Sequence, residues 1–435
     1  MEIYRKILAC ADAAMPEMVA LRRDFHRYAE TGWFEMRTSS IIARRLTELG
    51  YEVLVGDQVC KRDERMGVPS EEQLREAYLR AAEQGADPEL LKATEGGMTG
   101  VIGILRCGDG PTVAMRFDID ALGVYESADA EHIPAREDFS SVNEGAMHAC
   151  GHDGHAASGL GVAAVLMQIK EHLHGTVKLI FQPGEEGLRG AKAIVANGHL
   201  DDVDYLLGSH VTETDAKESD ITPGSYGSLA SSKYDVTFRG LVAHAGGNPH
   251  EGKNALLAAA TAVTNLYAIP RHAAGETRIN VGKLIAGSGR NVIADEAFME
   301  IEVRGETTEI NEYVGSYAMR ILRSAAEMHD CTMDVKLMGA AESIVGDGEL
   351  SARIASVCSE KLGMRVSENL MMKLRGSEDF SYMANRVQSR GGSASFMRVR
   401  SRMAGVAHGR TFDFDESYLA KAVKVLCGMA YDLMK

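Results

Sequence analysis

No stretch of the 435-residue chain supplies the roughly 18 consecutive apolar residues that a helical membrane span requires. There is no C-x-x-C pair and no tight cysteine framework either. Seven cysteines, an odd number without such spacing, point to reduced thiols and hence to a cytoplasmic protein. Positive charge is short: 47 Lys and Arg stand against 62 Asp and Glu, for a formal net charge of -15. That field repels nucleic-acid phosphates, so a nucleic-acid partner is not expected. It also means that an acidic substrate needs a local cation. No internal repeat or low-complexity segment occurs. The first 25 residues are studded with charges and lack the unbroken apolar core of a signal peptide. Ile3, Ile7, Ala11, Met15 and Met18 recur at helical spacing there and predict a surface helix of the mature chain.

What is present suits a globular protein, with 45% apolar and 25% charged residues. The length exceeds what one hydrophobic core usually serves, so two domains are expected. Apolar, β-branched runs at 101–105, 112–117, 176–182 and 205–210 alternate with helical patterns after Gly154 and at 191–196. That rhythm predicts an α/β domain with a mostly parallel sheet. From about Gly224 the order becomes strand (233–238), helix (254–269), strands (277–281 and 297–303), helix (309–328) and strand (332–337), an α+β unit of its own. The reading is a catalytic domain over 1–224 and 341–435, interrupted by an inserted domain over 225–340. Residues 61–97 form a further charged insert containing a helix from Glu71, and a helix over 415–433 ends the chain.

Chemistry concentrates where the strands of the first domain end, which is where ligands bind in open α/β sheets. Asp118 and Asp120 follow one strand, Glu185 and Glu186 a second, and His210 closes a third. The run MHACGHDGH at 147–155 holds a cysteine and three histidines. If it is extended, Cys150 and His152 point to the same side and can reach one ion. Each part has a blander reading: a structural turn at 147–155, a solvated acidic turn at 183–187, a polar strand cap at His210. A cysteine nucleophile at Cys150 with His152 or His155 is a further alternative, which leaves Glu186, His210 and His408 without a role. Taken together, Cys150, His152, one of Glu185 and Glu186, His210 and His408 are one ligand too many for a tetrahedral structural site. They suit two ions with one shared ligand, leaving the other glutamate as general base.

The chain is similar to the dinuclear metallo-amidohydrolases that include aminoacylases, carboxypeptidase G and indoleacetyl-amino-acid hydrolases. MRFDIDAL (115–122), MHACGHDGH (147–155), QPGEE (182–186), AHAG (243–246) with GRNVI (289–293), RGSED (375–379) and the stretch from His408 to FDFDE (412–416) come in that family's order. RMGVP (65–69), EGGMTG (95–100) and the lid run at 278–291 resemble its p-aminobenzoyl-glutamate hydrolase subgroup. The resemblance implies a dinuclear-metallopeptidase-like catalytic domain with an inserted lid and dimerisation domain. It implies two divalent ions, zinc or manganese by donor type. These are held by Cys150, His152, Glu186, His210 and His408, with the Cys150 thiolate as the bridge. Glu185 is implied as the base and Asp120 as the carboxylate behind the metal ligands. His244 is implied to stabilise the oxyanion in a partner's site. Asn291 and Arg304 are implied in substrate binding, with Arg304 as the local cation.

The implied reaction is hydrolysis of an amide to an amino acid, with p-aminobenzoyl-glutamate as best substrate and other N-acyl amino acids as the alternative. The implied assembly is a homodimer through the lid, or a heteromer with a paralogous subunit. Three positions depart from the family pattern. Gly184 replaces the usual alanine of QPAEE, Gly123 replaces the proline after DAL, and Ala407 stands where the subgroup often has a second histidine.

Overall fold

The computed structural model describes residues 1–215 and 217–435. Contacts divide the chain into two compact units. The first comprises Met1–Tyr226, Ile344–Lys373 and Asp379–Lys435, and the second Gly227–Ser343 and Leu374–Glu378. The expected insertion over 225–340 thus differs by two or three residues at its ends. The short stretch Leu374–Glu378, expected with the catalytic part, lies with the second unit.

In the first unit, strands β1 (Glu52–Val55), β2 (Val101–Arg106), β3 (Thr112–Asp118), β4 (Thr176–Gln182), β5 (Tyr205–Glu213), β6 (Ile221–Thr222) and β7 (Ser393–Ser401) form one sheet. Their order is β1-β2-β4-β3-β5-β7-β6. The four central strands β4, β3, β5 and β7 are parallel, and the antiparallel pairings are confined to the edges. The apolar runs read from the sequence are β2 to β5, and β3 and β4 are buried almost end to end, as expected of strands covered on both faces. Helix α4 (His152–Ile169) lies against β3, β4 and β5. It approaches closely because Gly159 has no side chain: a Cβ there would stand 2.6 Å from the Phe181 ring.

The expected single N-terminal helix is two, α1 (Glu2–Ala13) and α2 (Met15–Arg27). Pro16 sits in the first turn of the second, where its missing N–H costs nothing, and starts a new helix rather than continuing the old one. Tyr4, Ile7, Ala11, Met18 and Phe25 are buried in the main core. These helices therefore pack inward more than a surface helix does. The predicted insert helix, α3, spans Glu71–Glu83, started by a capping box between Ser70 and Gln73. Helix α5 (Ser417–Met434) closes the chain.

In the second unit four antiparallel strands run in the order Thr277–Ala286, Glu296–Gly305, Ala230–Arg239, Thr332–Ala341. Helices Ala255–Leu266 and Thr308–Met328 share one apolar core with them, including Val236, Phe238, Met299, Val303, Ala262 and Leu322. Burial along Glu296–Gly305 alternates, the signature of a sheet with one covered face. A separate ribbon pairs Ala243–His244 with Val292–Ile293. No helix among the described residues is long and apolar enough to cross a membrane.

Candidate active site

Parallel strands deliver their ends to one edge of the sheet, and the polar residues that follow β3 and β4 meet there with the start of α4. After β3 the chain runs through Asp118 to Asp120. After β4, Pro183 leads to Gly184 in the left-handed region (φ 63°), a single 3-10 turn over Glu185–Gly187, and Leu188, also left-handed (φ 60°). Glycine at 184, where the family usually has alanine, is the residue that tolerates this backbone. Cys150 and His152 are not in an extended segment as the spacing suggests. Gly151 turns the chain at φ 90° and His152 opens α4, so both side chains are presented by a glycine turn at a helix N-terminus. A Cβ at Gly151 would lie 2.7 Å from Val211. His210 lies within β5, which continues to Glu213. His408 is brought alongside by its own backbone, whose N–H donates to the Ala149 carbonyl at 2.8 Å.

Asp120 ties these segments together. Its carboxylate accepts from the backbone N–H of Glu185 (3.0 Å, Oδ1) and of Glu186 (2.9 Å, Oδ2). Its carbonyl lies 2.9 Å from His152 Nδ1. A ring that donates from Nδ1 to a carbonyl leaves Nε2 as a lone-pair donor, and His152 Nε2 is turned to the acidic cluster. It stands 3.8 Å from Glu186 Oε1 and 3.9 Å from Glu185 Oε2. His210 repeats the arrangement, with Nδ1 2.6 Å from the Val211 carbonyl and Nε2 3.4 Å from Cys150 Sγ. His408 Nε2 is 3.6 Å from Glu186 Oε2.

Five groups of potential ligand atoms occur among the described residues, the atoms of each within 4.8 Å of one another; one joins His152 to Glu185 and Glu186, and two share a cysteine: Cys150, His152 and His210, and Cys150, Glu186 and His408. Cys150 belongs to both. His152 Nε2 and Glu186 Oε1 are buried and have no hydrogen-bond partner among the described residues. Buried polar atoms without partners are rare and costly, and two aimed into a cluster of Cys, His and Glu donors fit a metal site. Asp118, His152 and His155 also lie close, but His155 is already saturated. Its Nδ1 bonds Asp118 and its Nε2 accepts the Val211 N–H. Asp118 is itself held by Arg116 at 2.6 Å. His148 is buried with neither ring nitrogen partnered among the described residues, and burial pushes its pKa down to about 3, so it is a neutral ring.

The electrostatics match a site built for a cation. Burial, with the Asp120 carboxylate adding to it, pushes Glu186 up to about 7. Burial and the neighbouring Glu186 push the Cys150 thiol above its ordinary range, the opposite of what a free cysteine nucleophile needs. Burial alone would depress His152, but the Asp118 carboxylate and the bond to Asp120 hold it well above the usual imidazole range.

Sequence reasoning missed the supports of this cluster. Buried Glu35 accepts the Gly184 N–H at 2.8 Å and the Thr99 hydroxyl at 2.7 Å, and burial and Asp120 raise its pKa. Asp379, in the RGSED motif, accepts from Arg116 (3.2 Å) and Gln182 (2.7 Å) through Oδ1, and from the Ala191 N–H (3.1 Å) through Oδ2. Position inside that motif was the available signal for Asp379; Glu35 had none.

Three expected residues belong to the second unit. His244 and Asn291 come together there: the Ala245 N–H donates to the Asn291 carbonyl, and His244 pairs with Val292. The His244 ring is exposed, and its Nδ1 accepts the N–H of Gly246 (3.1 Å) and Gly247 (2.9 Å), which fixes the remaining proton on Nε2. Arg304 lies on the strand Glu296–Gly305, its guanidinium 3.0 Å from the Glu302 carboxylate.

The family profile described as peptidase family M20/M25/M40 matches residues 114–432. The indole-3-acetyl-aspartic acid hydrolase of Enterobacter agglomerans is 46% identical over 95% of this chain and 94% of its own length. One subunit of the p-aminobenzoyl-glutamate hydrolase of Escherichia coli strain K12 is 43% identical over 95% of each chain. Among solved structures, the aminobenzoyl-glutamate utilization protein from Klebsiella pneumoniae aligns with a TM-score of 0.83 and 39% identity over 97% of each chain.

Proposed function

The chain belongs to peptidase family M20/M25/M40 and is a metal-dependent amidohydrolase, and on that premise we propose that it hydrolyses p-aminobenzoyl-glutamate to p-aminobenzoate and glutamate. In this reading Cys150, His152, Glu186, His210 and His408 would hold two divalent ions, Cys150 being in reach of both donor groups. Thiolate and imidazole donors favour zinc, and the carboxylate also suits manganese. The observation that carries the assignment is the membership of Cys150 in both donor sets, beside the unpartnered His152 Nε2 and Glu186 Oε1. Bound there, the ions supply Lewis acidity toward the amide carbonyl and make a nearby water easier to deprotonate.

The chain's own groups do the rest. Glu185, anchored through its backbone by Asp120, takes a proton from water at a carboxylate oxygen as the water oxygen bonds to the amide carbon. It then delivers that proton to the nitrogen as the C–N bond breaks, leaving a carboxylic acid and a free amine. His244 of the partner subunit, with Nε2 protonated by virtue of its Nδ1 contacts, donates to the carbonyl oxygen as charge gathers there. Asn291, next to His244 on the same ribbon, and Arg304 bind the substrate. The assembly is a dimer through the second unit, in the cytoplasm. Support comes from that unit's open edge strand Thr277–Ala286, with Leu284 and Ile285 exposed, and from Leu256, Leu257 and Tyr267, exposed on and just beyond its helix. A heteromer with a paralogous chain is the other form, suggested by the relative named as a subunit.

The 46% identity to an indole-3-acetyl-aspartic acid hydrolase favours a second substrate of the same kind, an indoleacetyl amino acid. Measuring kcat/KM on p-aminobenzoyl-glutamate, indoleacetyl-aspartate and N-acetyl amino acids decides between them. Glu185→Gln is expected to lower kcat on the preferred substrate by about a thousandfold or more with metal content retained. A variant with unchanged kcat refutes the base.

A further inference from the structure

We propose that Arg189 is the residue that recognises a carboxylate on the amino-acid half of the substrate. This rests on the reading that the substrate is an amide of an acidic amino acid. The cation such a substrate needs in a chain of net charge -15 has an expected holder, Arg304, whose charge is partly offset by Glu302 at 3.0 Å, and a substrate with two carboxylates calls for a second. Arg189 stands differently. It lines a cavity of about 260 Å³ in the first unit together with Phe34, Leu122, Gly123, Asp120 and Glu186. It is the one Lys or Arg among the described residues of that lining. The cavity therefore joins an apolar wall, the Glu186 end of the metal site and a single cation. An acyl amino acid presents the same three features: an apolar acyl group, the amide and a carboxylate.

The guanidinium is held but not neutralised. Nη1 donates to the Gly67 carbonyl at 3.3 Å, Nε is buried without a partner, and no carboxylate pairs with it among the described residues. A guanidinium offers five N–H donors, so most of its capacity is open to a bidentate anion. The loop is shaped to put it there. Leu188, left-handed at φ 60° without being glycine, reverses the chain after the Glu185–Gly187 turn, a conformation that persists only where the surroundings enforce it. The Arg189 side chain then folds back over Gly187: a Cβ on Gly187 would lie 1.9 Å from Arg189 Nε. Glycine at 187 is thus required for the pose, and the loop that carries the base and a metal ligand also carries the cation. The Gly67 contact gives the 61–97 insert a purpose that its sequence did not disclose, since the Gly67 carbonyl accepts from the guanidinium.

The test compares p-aminobenzoyl-glutamate with its two monoamides, in which either the side-chain or the α-carboxylate is replaced by a neutral carboxamide. Wild type, Arg189→Gln, Arg189→Lys and Gly187→Ala are measured in the metal-loaded protein, with metal content and thermal unfolding as controls. Wild type is expected to prefer the diacid over one of the monoamides by tenfold or more in kcat/KM, mainly through KM. That ratio should fall toward one in Arg189→Gln, be partly kept in Arg189→Lys, and fall in Gly187→Ala. Which monoamide shows the loss identifies the carboxylate. An Arg189→Gln ratio equal to wild type for both monoamides overturns the assignment. Calorimetric binding of free glutamate, glutamine and isoglutamine gives the same comparison without turnover. A wild type that cleaves none of the p-aminobenzoyl amides but binds glutamate in an Arg189-dependent way upholds Arg189 and removes the substrate. Binding of all three amino acids that ignores the Arg189 substitution removes Arg189.

Discussion

Asp120 touches three members of the site with three different atoms: Oδ1 and Oδ2 take the Glu185 and Glu186 amides, and its carbonyl orients the His152 ring. Removing the carboxylate leaves the His152 contact and frees the glutamate turn. Asp120→Ala is therefore expected to weaken metal affinity and kcat by about 10- to 100-fold each, read by metal titration and steady-state kinetics. Glu186 makes a prediction about pH. Its carboxyl in the metal-free protein is raised to about 7, so between pH 4.5 and 7 the folded state holds a proton that the unfolded state has released. Its stabilising contribution is present at low pH and is lost as pH rises toward 7. Metal-free protein should lose thermal stability across that window, and Glu186→Gln should flatten the loss; an equal slope in the variant contradicts the assignment. Metal uptake must expel the same proton, so metal affinity should rise with pH up to about 7. At this scale the sequence pointed, by residue type and place in a motif, to Cys150, His152 and Glu186, which the fold brings together. It was not legible for Arg189, whose proposed role depends on a backbone reversal at Leu188 and on having no carboxylate partner among the described residues, neither of which spacing records.

At the scale of elements, two glycine-centred turns set the site. Gly151 places Cys150 and His152 at the head of α4, with no room for a side chain against Val211. Gly151→Ala is expected to lower stability by about 1–3 kcal/mol, from strain at positive φ and the clash together, and to reduce bound metal. Thermal unfolding with metal analysis checks both; a variant with wild-type melting and full metal would show the turn to be dispensable. Strands were readable because β3 and β4 are apolar throughout, the pattern of a buried parallel sheet. The turn at 150–152 was not, because two residues at i and i+2 look alike in an extended segment and in a glycine turn. The N-terminal helix was misread as one because its apolar spacing runs on across the break that Pro16 makes.

For the whole molecule, the change of rhythm near Gly224 falls close to Gly227, where the second compact unit begins. The return of Leu374–Glu378 to the second unit is a long-range contact that no local pattern carries. The proposed shared site across a dimer has a specific consequence. Glu185→Gln and His244→Ala are each inactive in this account, but a heterodimer of the two contains one complete site. Unfolding and refolding an equal mixture should restore about a quarter of wild-type activity, half the dimers being mixed with one good site of two. Activity no higher than that of the separate variants would place His244 outside a shared site. The central claim, two ions joined at Cys150, is tested most directly by metal stoichiometry. Wild type should bind two divalent ions per chain and Cys150→Ala fewer than one, with its hydrolysis lost. A single ion in the wild type, or two ions and full activity in Cys150→Ala, would contradict it.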